Sequence, residues 1–225
     1  MKRMKGMKEI RGRGCILLFL LVSWMGYSQE TDFQPEWAFG MNGGITLSEV
    51  GFVPRIPQEL LVQSSGGLTA RYIQEDHFGL QLELNYSLRG WKHEVDTAIY
   101  LNHYAESLLY LELPLMTHIY FNLGNRTRLI FNVGPQISYH IGEKVLEKNI
   151  VNHDYDFYEH PQVQNKFDYG ITGGLGMELR TGIGHFILEG RYFFGLSDIF
   201  YNGREYDFQA SHNQVIGIKM TYLLP

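Results

Sequence analysis

From Trp37 onward the chain alternates apolar and polar residues at every second position, segment after segment. A period of two marks a β-strand with one apolar face. The cleanest run sets Phe78, Leu80, Leu82, Leu84, Tyr86 and Leu88 against Gly79, Gln81, Glu83, Asn85, Ser87 and Arg89. Another sets Leu109, Leu111, Leu113, Leu115, Thr117, Ile119 and Phe121 against Tyr110, Glu112, Pro114, Met116, His118 and Tyr120. Phe167 to Arg180 and Val215 to Leu224 repeat the pattern, and four less regular segments at 36–47, 66–73, 128–139 and 184–195 complete a set of eight. No stretch sustains a helical period. The chain is therefore expected to be all-β.

The connections alternate too. Those at 74–76, 122–125 and 181–184 are short and rich in Gly, Asn and Asp, the residues of tight turns. Those at 48–65, 90–107, 140–166 and 196–212 are long. Short turns at one end and long loops at the other match an eight-stranded antiparallel up-and-down transmembrane β-barrel. A soluble lipocalin-like barrel would need the polar face outside, around an apolar ligand cavity. The composition of that face favours the membrane. Gly170, Gly174 and Gly176 stand beside Glu178 and Arg180, and Gly79 stands near Glu83 and Arg89, which suits a crowded lumen better than an open surface. Arg71, Glu83, Arg89, Glu112, Arg128, Glu178, Arg180, Glu189 and Arg191 all fall on this face, with the signs nearly balanced. Balance is what burial demands, since an unpaired ion in a closed interior costs several kcal/mol. These nine residues are the expected lumen ion-pair network. Eight strands leave an interior wide enough only for side chains, so bulk conduction is not expected. Pro114 and Pro135 interrupt two strands, and a β-bulge at each is the expected repair.

The first 28 residues read as an address. Lys2, Arg3, Lys5, Lys8, Arg11 and Arg13 precede a short apolar core from Ile16 to Met25 and the small residues Gly26 and Ser28. This is the layout of a secretory signal peptide, and the domain is expected to occupy 29–225. Cys15, the one cysteine, leaves with that segment, so no disulfide is expected. The formal charge of the whole is -5; removing the six basic residues and Glu9 leaves the remainder at -10. So acidic a chain lacks the basic patches that nucleic acid requires.

Candidate chemistry is sparse. His153, Asp154, Asp156, Glu159 and His160 cluster in the longest loop but match no defined metal spacing, and no metal or cofactor is expected. In the same loop Tyr155, Phe157, Tyr158 and His160 form an aromatic and acidic surface suited to a partner or ligand. A lipid-modifying enzyme would need a base beside a nucleophile. His93 or His103 with Ser107, and Ser211 with His212, are the available pairs, and neither has a recognisable spacing.

Several stretches resemble the PorT-like outer-membrane β-barrel family of Bacteroidota. They are Tyr110-Leu111-Glu112-Leu113-Pro114-Leu115 with His118-Ile119-Tyr120-Phe121, then Asn132-Val133-Gly134-Pro135. Asp168-Tyr169-Gly170, Gly173-Gly174-Leu175-Gly176-Met177-Glu178, Glu189-Gly190-Arg191-Tyr192 and Gly195-Leu196-Ser197-Asp198-Ile199 extend the likeness over the expected domain. The resemblance implies a small eight-stranded barrel in the outer membrane of a Gram-negative bacterium, in a family whose members mostly lack an assigned activity. PorT itself belongs to the type IX secretion machinery. The expected function is thus non-enzymatic, structural or accessory, with long extracellular loops that contact a partner. Expected neighbours are outer-membrane lipid, lipopolysaccharide and an envelope or secretion protein. A type IX secretion component, a lipid-modifying enzyme and a soluble periplasmic binding barrel are the alternatives.

Overall fold

The computed structural model describes residues 33–53, 58–96, 101–149, 163–200 and 209–224. Eight strands follow one another: β1 Glu36–Val53, β2 Leu61–Glu75, β3 Phe78–Asp96, β4 Leu101–Asn122, β5 Thr127–Asn149, β6 Phe167–Thr181, β7 Gly184–Gly195 and β8 Ala210–Leu223. Each pairs antiparallel with the next, and β8 pairs with β1, so the sheet closes into a barrel without an edge around its waist. The signal-peptide assignment falls on residues outside the described ones.

Register fixes the shape. From Trp37 the partners run through Tyr72, Leu80, Thr117, Val133, Gly173, Tyr192 and Ile216, then return to β1 at Leu47, ten residues beyond the start. Eight strands with that shear tilt by about 40° from the barrel axis. The sheet is inside out relative to a soluble protein. Leu80, Leu82, Leu84, Leu111, Leu113 and Leu115 point outward and are exposed, while Gln81, Glu83, Asn85, Ser87 and Arg89 are buried inside. On β1 the outward apolar run extends from Trp37 to Leu47. At the strand rise and tilt this spans about 25 Å, the height of an outer-membrane apolar band. Aromatic pairs flank it: Trp37 with Tyr72 and Phe186 with Tyr222 at one end, Tyr139 with Phe167 at the other. The end with the short turns is the periplasmic one by the asymmetry such barrels share.

Two expectations need correction. The strands run well past the alternating segments: β1 continues to Val53, β2 starts at Leu61, β3 reaches Asp96, β4 starts at Leu101 and β5 reaches Asn149. Much of what read as loop is paired strand. Above the lipid belt the two faces of a strand share one setting, both exposed on β5 from Glu143 to Leu146 and both buried on β4 from Tyr104 to Leu108, so the alternation stops although the hydrogen bonding goes on. Nor is there a bulge at either proline. Asn85↔Glu112 and Leu82↔Leu115 share one register, and the β3–β4 ladder omits only the two pairs between them. The β4–β5 ladder likewise omits the two pairs between Pro114↔Gln136 and Thr117↔Val133. Each proline thus leaves a gap on one side, where its missing N–H would have donated, and keeps its pairing on the other.

Candidate functional site

Alternation places one side chain in two from each strand inside the barrel, and the shear stacks them into levels. Near the periplasmic end, Arg71 Nη2 donates to Glu178 Oε1 at 2.9 Å, and His185 Nδ1 lies 2.8 Å from the same oxygen. Arg128 reaches Glu178 Oε2 at 3.9 Å and stacks over Tyr120 at 4.1 Å. His118 Nδ1 lies 2.8 Å from Asn132 Oδ1, and Asn132 Nδ2 donates to Glu189 at 3.1 Å. Since the amide nitrogen must face that carboxylate, Asn132 Oδ1 accepts and the proton sits on His118 Nδ1.

The middle level is built around Glu83. Arg191 binds its carboxylate with two nitrogens at 2.7 and 3.0 Å, and Lys219 Nζ adds a third contact at 2.8 Å. Gln81 and Asn85, its neighbours on the inner face of β3, donate at 2.7 and 2.9 Å. Arg191 also donates to Glu189 at 2.7 Å. Gly174 makes room for this: a Cβ there would fall on the Glu189 carboxylate.

The upper level centres on Arg89, which bridges Glu112 at 2.7 Å and Asp168 at 3.0 Å between the rings of Tyr110 and Phe193. Asp168 further accepts from Ser197 at 2.7 Å and Asn213 at 2.9 Å. A cavity of about 40 Å³ separates the upper and middle levels, with Arg89, Glu112, Arg191 and Lys219 among its lining. Beyond Arg89 the extracellular mouth is filled by Val50, Phe52, Trp91, Tyr104, Leu108, Tyr110, Val163, Ile199 and Phe200.

Eight of the nine residues expected in the lumen network are buried in these three levels. Arg180 is not among them: it sits half-exposed at the periplasmic rim, 3.4 Å from Glu36. Asp168, His185 and Lys219 complete the network and were not in the expected set. Asp168 and Lys219 lie on the same polar face of their strands as the others, so position already marked them. His185 was hidden by the irregular alternation of its segment. Among the described residues, Arg71, Arg89, Arg128, Arg191 and Lys219 face Glu83, Glu112, Asp168, Glu178 and Glu189, five cations against five carboxylates. Each of these carboxylates is engaged by a cation, so charge is balanced within the three levels.

The other candidates do not assemble. Ser211 is buried, and its hydroxyl receives the Phe200 N–H at 3.1 Å. His212 instead approaches the Ser197 carbonyl at 3.1 Å, with Asp198 at 3.6 Å. His93 and His103 lie on the paired extensions of β3 and β4, and Ser107 is buried. Tyr155, Phe157, Tyr158 and His160, with the acidic cluster around them, lie outside the described residues. Among the described residues no group of three or more His, Cys, Asp or Glu side chains could hold a metal ion.

Residues 27–201 match the family described as outer membrane protein beta-barrel domain. The chain belongs to that family. Its place is the outer membrane, as the outward apolar band also requires. Among solved structures it is similar to the outer membrane protein OprG from Pseudomonas aeruginosa, with a TM-score of 0.50, 13% identity and coverage of 86% of this chain and 97% of that one. Neisserial surface protein A gives a TM-score of 0.45 at 10% identity, covering 82% of this chain and 96% of that one. The outer membrane enzyme PagL gives 0.36 at 11% identity, covering 84% and 99%. Such identities speak for the fold alone. No curated protein sequence matches the chain.

Proposed function

We propose that this barrel is a non-enzymatic accessory or binding protein of a Gram-negative outer membrane, working through its extracellular end. One observation carries the reading: within the three lumen levels the ions cancel, five cations against five carboxylates. The excess negative charge of the chain must then lie at its two ends. The extracellular stretches 49–59, 92–106, 143–166 and 196–212 hold thirteen acidic and six basic residues. Stretches so acidic and rich in tyrosine favour a partner with a basic face, which their charge would steer and orient.

A second reading is favoured by the stretches that resemble the PorT-like family of Bacteroidota: membership in a type IX secretion machinery. An enzyme reading has less support, because Ser211 and His212 turn their side chains to different partners. Deletion of the gene, followed by gel analysis of type IX cargo, separates the first two. Accessory binding outside secretion predicts fully processed cargo. Accumulation of unprocessed cargo, restored by the wild-type chain, would establish the secretion reading instead.

A further inference from the structure

The ion pairs look like the obstruction in this lumen, yet the polar atoms around them say otherwise. Ten buried side-chain atoms among the described residues have no hydrogen-bond partner in the protein. Eight belong to the periplasmic half: Asn42 Oδ1, Arg71 Nε and Nη1, Gln81 Oε1, His118 Nε2, Thr221 Oγ1, and Arg128 Nη1 and Glu178 Oε2, which face each other at 3.9 Å, too far for a hydrogen bond. The other two, on Gln63 and His140, lie higher on the wall. A buried polar atom left unmet costs about 1–3 kcal/mol, and water is its usual partner. Directly above this half lies the cavity of about 40 Å³, with Thr46, Ser65, Ser87, Gln136 and Thr172 among its lining. By volume it accommodates about three waters, which would find these polar groups beside the apolar Phe193 and Val215 that also line it.

The extracellular mouth is mainly apolar, and its one buried carboxylate among the described residues, Glu106 opposite Trp91, is held by the Tyr104 hydroxyl at 2.7 Å. Phe52, Trp91 and Phe200 pack as a three-ring box, with ring centroids 6.0 Å apart for Phe52–Trp91 and Phe52–Phe200 and 6.1 Å for Trp91–Phe200. Val50, Leu108 and Ile199 fill the space around them. Part of this plug is brought in by the segment that follows β7. Ile199 N–H donates to the Ser211 carbonyl at 3.0 Å, and Phe200 N–H to the Ser211 hydroxyl at 3.1 Å. Ser211 N–H in turn donates to Asp198 at 2.6 Å. An apolar constriction excludes water by dewetting, whereas ion pairs hold it.

We infer that the lumen binds an internal column of water from the periplasmic end up to the cavity below Arg89, and that the aromatic plug, not the ion-pair network, is the permeability barrier of the barrel. This stands whether or not the extracellular end serves a partner as proposed above. Arg128 and His185, the lowest members of the network, mark the level at which the column would meet the periplasm.

The test uses the mature chain refolded in liposomes loaded with a pH-sensitive dye, under a potassium-valinomycin potential. Wild-type vesicles should be as proton-tight as empty ones. The Trp91→Ala/Phe200→Ala variant, still shifting on an unheated gel, should leak on the order of tenfold faster. A folded plug variant as tight as wild type would overturn the inference. So would a Glu83→Gln variant that leaks as much with the plug intact. Should the plug variant fail to fold, wild-type protein in nanodiscs decides by NMR. Water cross-peaks are expected at the side-chain amide of Asn42 and absent at the Trp91 indole. A dry Asn42 or a wet Trp91 would refute the assignment.

Discussion

Glu83 shows how one inward position can organise a membrane interior. Its two oxygens receive Arg191, Lys219, Gln81 and Asn85, from three strands of the barrel. Two cations share this carboxylate, so neutralising it strips both at once, and only Glu189 remains to hold Arg191. Breaking a buried pair by removing one partner costs about 3–5 kcal/mol because the other charge is left behind. Glu83→Gln is therefore expected to lose about that much, read as the shift in urea midpoint for unfolding from lipid vesicles. Removing the stranded charge as well should recover part of the loss. Glu83→Gln/Lys219→Met is expected to be less destabilised than the sum of its single variants, with a coupling of about 1–3 kcal/mol. Strict additivity would mean that Lys219 and Glu83 do not act as a pair.

The two prolines belong to the scale of the strand. Pro114 keeps its pairing with Gln136 of β5 and lacks one with β3; Pro135 keeps Ile171 of β6 and lacks one with β4. The gaps sit on successive seams, and the register on either side of each is unchanged. Restoring the N–H should therefore fill the gap without moving the strand. Pro114→Ala and Pro135→Ala are each expected to gain about 0.5–1.5 kcal/mol, with amide exchange slowed beside the former gap. A loss of stability would mean that the fixed backbone angle of proline, and not its missing donor, decides these positions. That the prolines would be accommodated was legible in the sequence; how they would be was not, because a bulge and a gap leave the same alternation behind. The strand waists were legible for a simple reason: lipid outside and packed charge inside impose opposite chemistries on neighbouring residues. The extensions of β4 and β5 were not, since five consecutive residues from Tyr104 to Leu108 are all buried and four from Glu143 to Leu146 are all exposed, and neither setting imposes alternation. The same contrast explains the site. Arg71, Glu83 and Arg191 stood out against apolar neighbours, while Phe52, Trp91 and Phe200 carried no sign of facing inward above the membrane.

For the whole molecule, shear and strand number together set how it sits in a bilayer. A tilt of about 40° shortens each residue's advance along the axis to about 2.5 Å. The ten steps of the run from Trp37 to Leu47 then match a hydrocarbon layer of about 25 Å. The aromatic pairs at both ends of that run hold the depth, because amphipathic rings favour the headgroup level. In a thicker bilayer the apolar band is too short for the layer, and tilting would only shorten its span further. The bilayer must thin instead, at a cost of fractions of a kcal/mol for each Å. Refolded protein should accordingly be most stable in short-chain lecithin vesicles near that thickness. In vesicles of about 30 Å the temperature at which the fast-migrating unheated band is lost should fall, by an amount that reflects a mismatch of about 5 Å. Variants Trp37→Ala/Tyr72→Ala, which remove one anchor pair, should flatten that dependence. If the melting temperature ignored thickness in the wild-type chain, the outward band would not be what fixes its depth, and the 25 Å match would be coincidence.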